Sequence, residues 1–143
     1  MAPTRVLFAC VHNAGRSQMA AAIFNSLADP ARAAALSAGT RPGARVHPEV
    51  LEVMREVGLD LSGATPRLLT ADLARGVALL VTMGCSEDCP YVPGAERDDW
   101  LLPDPKGRPL DEVRAIRDQL GARVSALVRS RGWERRRNPV HLN

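Results

Sequence analysis

The chain has 143 residues, enough to bury the core of one domain and short for two. Hydrophobic residues make up 45% and charged residues 24%, ordinary globular values, and a net charge of +3 is too modest to point to a nucleic-acid partner. No apolar run reaches membrane-spanning length and the N-terminus lacks a secretory apolar segment, which excludes a membrane partner and predicts a soluble, cytoplasmic protein.

The first element sets the reading. Arg5 to Ala9 is an apolar run that ends at Cys10, and after five residues Arg16 opens a helical pattern. The order strand, loop, helix delivers Cys10 to the carboxyl edge of a sheet, beside the positive end of the next helix. The intervening residues Val11, His12, Asn13, Ala14 and Gly15 can turn their backbone N–H groups inward around an oxyanion. Arg16 adds a planar cation able to grip two oxygens, and Ser17 can offer its hydroxyl to a Cys10 thiolate. Asn13 belongs to the few residue types that tolerate a left-handed backbone in a tight loop. The bland reading is a buried packing cysteine, because a Cys-x5-Arg spacing also arises by chance; the placement between strand and helix favours the functional one.

Met19, Ala20, Ile23, Phe24 and Leu27 continue at helical spacing until Asp29-Pro30 stops the pattern. Residues 32–36 are alanine-rich and ambiguous, and Leu36 to Gly39 suits a short strand running into a loop. Pro48 opens a second helix whose Val50, Val53, Met54 and Val57 form a stripe ending at Gly58, with Leu59 and Leu61 tucked beneath it. Thr70 caps a short helix that ends near Gly76. Val77 to Thr82 reads as a fully buried strand.

Residues 83–98 contain glycine and proline breakers together with Cys85 and Cys89, and are expected to form a surface loop. Those two cysteines could close a small disulfide, approach the Cys10 sulfur, or be unrelated thiols. A zinc site is disfavoured, because His12, His47 and His141 are scattered without ligand spacing, so no metal is expected. Trp100 to Leu102 is expected as a last strand, followed by Asp104 held between Pro103 and Pro105, where its carboxyl group could act as an acid over the anion site. A turn before a helix would account for the same residues without chemistry. The last helix starts at Pro109, with Asp111 and Glu112 favouring its N-terminal dipole and Leu110, Val113, Ile116, Leu120, Val124, Leu127 and Val128 on one face.

Strands alternating with helices predict an α/β fold, a three-layer doubly wound parallel sheet whose ligand site lies beyond the strand carboxyl ends. Cys10, the Cys85 loop and Asp104 would meet on that edge. One domain is expected over residues 1–132, with 133–143 as a solvated basic tail. Aromatics total only 3%, so the core should rest on aliphatic side chains.

At Cys10-Val-His-Asn-Ala-Gly-Arg-Ser-Gln-Met-Ala20 the chain resembles the low-molecular-weight protein tyrosine phosphatase superfamily, and most of all its arsenate reductase branch. The resemblance implies that Cys10 is the nucleophile, Cys85 the first resolving thiol, Cys89 the second and Asp104 the general acid. It also implies arsenate as substrate, no cofactor, and thioredoxin as electron donor to a chain expected to be a monomer. The two loop cysteines are separated by three residues, fewer than in the best-known thioredoxin-coupled branch. A related branch uses a small thiol such as mycothiol, so both donors remain open. Phosphatases of the superfamily flank the loop with aromatic residues, whereas Lys106-Gly107 stand here after the Asp-Pro. Some relatives bind potassium through a glutamate at the position of Ala21, a site expected to be absent or altered. The rival readings are a phosphomonoester or tyrosine phosphatase, which needs neither loop cysteine, and a non-enzymatic oxyanion or redox sensor.

Overall fold

The computed structural model describes residues 2–84 and 91–135. In chain order it contains β1 (Thr4–Cys10), α1 (Arg16–Leu27), β2 (Ala33–Gly39), α2 (Pro48–Glu56), α3 (Ala71–Ala74), β3 (Val77–Thr82), β4 (Glu96–Asp99) and α4 (Leu110–Ser130). All four strands are parallel, in the order β2-β1-β3-β4. Parallel strands are covered on both faces, and the apolar side chains of β1 divide accordingly. Val6, Phe8 and Cys10 face a core built with α1, α2 and α4, while Leu7 and Ala9 face a smaller one with Ala74, Leu80 and Val92. The predicted three-layer sheet is therefore present, with α1, α2 and α4 on one side and α3 on the other.

The expected strand at Trp100–Leu102 is not one. The last strand is β4, four residues earlier, in a stretch read as loop. All four of its side chains are exposed, as suits an edge strand that pairs only with β3 and whose charges discourage further pairing. Trp100 and Leu102 owe their apolar character to packing: both are buried, while Leu101 between them is 84% exposed.

At the opposite edge β2 begins at Ala33, three residues before the expected start. Asn25 on α1 explains how this alanine-rich stretch is held. Its side chain donates to the Ala35 carbonyl at 3.0 Å and accepts from the Ala35 N–H at 2.9 Å, a substitute for the missing neighbouring strand.

The few aromatic rings are concentrated in one string. Phe8 packs on Phe24 and Trp100 with ring centroids 6.0 and 5.7 Å apart, and Phe24 packs edge-on against Trp133 at 5.8 Å. Trp133 lies within the stretch expected as tail, yet its carbonyl accepts from Asp29 N–H at 2.7 Å, and Arg135 donates to the carbonyls of Asn25 and Ser26 at the end of α1. The packed chain thus extends through Arg135. Across the other helices, Glu56 of α2 receives hydrogen bonds from Arg114 and Arg117 of α4, joining the two. No helix among the described residues is long and apolar enough to cross a membrane.

Candidate active site

The sheet order makes β1 and β3 neighbours while the chain leaves β1 towards β2, so the carboxyl ends of β1 and β3 flank a topological switch point. Met83 just after β3 donates its N–H to the Ala9 carbonyl at 2.8 Å, which fixes the two ends side by side. Cys10 is the last residue of β1 and is 2% exposed. The loop from Val11 to Gly15 connects it to α1, whose first residue is Arg16.

The orientation of this loop follows from its carbonyl groups. Those of Cys10, Val11 and His12 accept from the N–H groups of Thr40, Arg41 and Gly43 at 3.2, 2.8 and 2.9 Å. Asn13 O accepts from Gln18 Nε2 at 3.1 Å, Ala14 O from His47 N–H at 2.9 Å and Gly15 O from Met19 N–H at 3.0 Å. Every carbonyl from Cys10 to Gly15 is thus turned onto the scaffold. In a trans peptide the N–H points opposite to the C=O, so the N–H groups of residues 11–16 point away from these partners, and that of Asn13 is directed at Cys10 Sγ, 3.3 Å away. The N-terminal end of α1 adds its dipole there, and no acidic residue occupies the first turn of the helix to oppose an anion.

Asn13 is the one non-glycine residue with positive φ, +51°, among the described residues. Its side chain is fully buried and its hydrogen bonds define the site. Oδ1 accepts from the Arg67 backbone N–H at 3.0 Å, an unambiguous donor, and from Gln18 Nε2 at 3.2 Å. The amide nitrogen must therefore face the other way, and it donates to Ser17 Oγ at 2.8 Å. With an acceptor site of Ser17 Oγ used in this way, its hydroxyl proton is free to point at Cys10 Sγ, 2.8 Å distant. The Asn13 N–H approaches the same sulfur at 3.3 Å. Cys10 thus sits under two donors suited to a thiolate.

Arg16, the first residue of α1, donates from Nη1 to the Leu102 carbonyl at 2.9 Å. Asp104 is half-buried, and its Oδ1 accepts from Lys106 N–H at 3.0 Å, closing a turn. That turn meets the loop through Pro105: a Cβ placed on Gly15 would come within 2.6 Å of Pro105 Cγ. His12 is exposed, with Nδ1 3.1 Å from the Arg41 carbonyl. Cys10, Asn13 and Ser17 are therefore brought together, the Arg16 guanidinium lies against Leu102 and Gly84, and Asp104 meets the loop through its neighbour Pro105. Cys85 and Cys89 lie outside the described residues. No cluster of potential metal ligands occurs among the described residues.

The model of the low molecular weight phosphotyrosine protein phosphatase family matches residues 5–137. The chain belongs to that family. A Halobacterium salinarum protein with a provisional arsenate reductase name is 41% identical over 127 residues, covering 85% of this chain and 88% of that protein. A protein of Synechocystis named glutaredoxin arsenate reductase is 34% identical over 127 residues, 87% of this chain and 95% of its own. Among solved structures, the thioredoxin-dependent arsenate reductase Cg_ArsC1' of Corynebacterium glutamicum superposes with a TM-score of 0.78 at 38% identity. That alignment takes in 90% of this chain and spans 61% of the Corynebacterium chain.

Within the frame of this family, the residues that sequence reasoning missed are those that hold the loop from behind. Gln18 and Arg67 fix Asn13, and Thr40 to His47 receive the loop carbonyls. Gly39 lets β2 approach: a Cβ there would lie 2.5 Å from the Val11 carbonyl oxygen and 3.0 Å from Asn13 Cβ. Its position at the end of a strand facing Cys10 was the one available signal, since a glycine inside a strand pattern marks close backbone approach.

Proposed function

We propose that this chain reduces arsenate to arsenite with Cys10 as nucleophile. The observation that carries the reading is the pairing of Cys10 Sγ with Ser17 Oγ at 2.8 Å beside a loop whose carbonyl groups are all engaged by residues of the scaffold and α1. The similarity to arsenate reductases over most of the chain supports the choice of substrate. The aromatic inventory supports a small anion over an aryl ester. Phe8, Phe24, Trp100 and Trp133 are committed to packing, and Tyr91 stands beside α3 in a groove lined by Leu69, Ala74 and Val92.

In this mechanism the loop N–H groups and the Arg16 guanidinium hold three arsenate oxygens while the Cys10 thiolate attacks arsenic. Asp104 donates a proton to the departing oxygen, and an S–As(V) bond forms. The Cys85 thiolate then attacks Cys10 Sγ. The S–As bond breaks with its electron pair left on arsenic, which departs as arsenite, and a Cys10–Cys85 disulfide remains. Cys89 displaces Cys10 from that disulfide, regenerating the nucleophile and leaving Cys85–Cys89 oxidised. Two electrons from an external dithiol such as thioredoxin, or from two small thiols such as mycothiol, return the enzyme to its reduced state. The roles of Cys85 and Cys89 rest on chain order and on the family resemblance.

The test is turnover with arsenate, run with thioredoxin, thioredoxin reductase and NADPH and in parallel with a mycothiol system. Cys89→Ser should release about one arsenite per chain and stop with Cys10 joined to Cys85, following the stoichiometry of thiol–disulfide exchange. Hydrolysis of p-nitrophenyl phosphate without arsenate turnover, unaffected by loss of either loop cysteine, would assign the chain to the phosphatase reading instead.

A further inference from the structure

Gly84 follows β3 by two residues and has φ +88°, a conformation that by itself favours glycine. Its surroundings add a second and separate requirement. A Cβ built on Gly84 would lie 2.7 Å from Arg16 Nη1, 3.3 Å from Cζ and 3.3 Å from Nη2, so three atoms of the guanidinium occupy the space a side chain would need. From another element, the Leu102 carbonyl accepts from the same Nη1 at 2.9 Å. Neither contact involves a side chain of the partner residue. Arginine brings five N–H donors in a rigid fork, so one can be committed to Leu102 while the others stay available to an anion.

We propose that Gly84 is a positioning residue for anion recognition: its bare backbone and the Leu102 carbonyl clamp the Arg16 guanidinium in the pose that receives the oxyanion. The proposal rests on the reading of residues 10–17 as an anion loop. Its physical content lies in what yields when the space is filled. The colliding atoms belong to the tip of a long side chain, which moves far more readily than backbone, so a methyl group at position 84 displaces the guanidinium and leaves the fold in place. The loss should therefore appear in anion binding. Other positive-φ glycines supply the control, since Gly94 has φ +81° and a Cβ there would meet nothing within 4 Å, so substitution brings backbone strain without a collision.

The experiment uses the full reduced chain and inorganic phosphate, a tetrahedral anion the thiols do not reduce. Protection of Cys10 from iodoacetamide, followed on the Cys10 peptide by mass spectrometry, gives the half-protecting phosphate concentration. Gly84→Ala should raise that concentration about tenfold, the scale of one lost hydrogen bond to a charged group, whereas Gly94→Ala should leave it at the native value. Gly84→Asn, which accepts a left-handed backbone more readily, should show the same loss, because it also carries a Cβ. In an Arg16→Ala background Gly84→Ala should cause no further loss, the signature of two residues acting through one contact. Native-like protection in Gly84→Ala, recovery in Gly84→Asn, or an undiminished effect in the absence of Arg16 would each overturn the clamp. Native-like protection in Arg16→Ala alone would instead overturn the anion-loop reading on which it stands.

Discussion

Asn13 is the residue whose removal tests the site most directly, because one side chain holds the loop conformation, the scaffold and the Ser17 hydroxyl together. Asn13→Ala deletes the bond to Ser17 Oγ at 2.8 Å and those from Arg67 N–H at 3.0 Å and Gln18 Nε2 at 3.2 Å. At about 1 kcal/mol net for each, the deletions cost about 3 kcal/mol. The backbone at φ +51° adds about 1 kcal/mol, since alanine lacks the local hydrogen bonding that lets asparagine visit the left-handed region. The total of about 4 kcal/mol is a large share of the stability of a domain this size. Urea unfolding followed by circular dichroism would measure it, and Asn13→Gly separates the parts: glycine keeps the backbone conformation and should recover about 1 kcal/mol. Arsenate turnover should fall in both variants, because the Ser17 hydroxyl is then free to rotate away from Cys10 Sγ. A destabilisation under about 1 kcal/mol with turnover intact would refute the claim that this network sets the site, since the estimate assumes bonds that are made and buried.

Under the proposed mechanism Gly15→Ala should act on Asp104 more than on anion binding by residues 10–17. Its Cβ would stand 2.6 Å from Cγ of the buried Pro105, and a displacement of about 1 Å in the Asp104 turn corresponds to a loss of about 100-fold in turnover, to be compared with a smaller change in the half-protecting phosphate concentration. Hydrogen bonds from Arg114 and then Arg117 hold the Glu56 carboxyl down at about 2. Because the folded value is depressed, the stabilisation is present above the usual carboxylate value of 4.5 and is lost as pH falls towards 2. Urea midpoints of the native chain and Glu56→Gln should therefore differ at pH 6 and converge near pH 2, and a difference independent of pH would show that the contact of Glu56 with Arg114 and Arg117 is not electrostatic.

The Cys10 loop was legible because its logic is local. A strand end, five loop residues and a helix start are adjacent in sequence, so the placement of Cys10 at the end of β1 and of Arg16 and Ser17 at the start of α1 could be read from order and spacing alone. Asn13 was legible for its backbone, but its partner Arg67 was not, because that contact is made by an N–H group 54 positions away that any residue but proline could supply. The same holds for Leu102, whose carbonyl and not its side chain meets Arg16, and for Gly39 and Gly84, whose contribution is the absence of a Cβ. β4 escaped for a related reason. Its Glu96–Asp99 sequence lacks strand-forming side chains and is held by backbone pairing to β3, while the apolar Trp100 and Leu102 beyond it satisfy the core without pairing.

The construction of the loop also says where substrate choice must arise. In the proposed reading its donors are backbone N–H groups, a helix terminus and the Arg16 guanidinium, groups suited to a tetrahedral arrangement of negative oxygens and none of which touches the central atom. Arsenate and phosphate present nearly the same outer shell, so this loop should hold both. What separates them is the step after binding. A thiolate on arsenic(V) can pass an electron pair inward when a second thiol takes its sulfur, because arsenic(III) is an accessible product; phosphorus(V) under the same attack offers no such exit and can only be handed to water or another acceptor. Under this reading reduction depends on whether a second thiol reaches Cys10 Sγ, which at 2% exposure is nearly closed to solvent. Under the proposed reading phosphate is accordingly a competitive occupant of the site, and the distinction between reductase and phosphatase lies in Cys85, outside the anion loop itself.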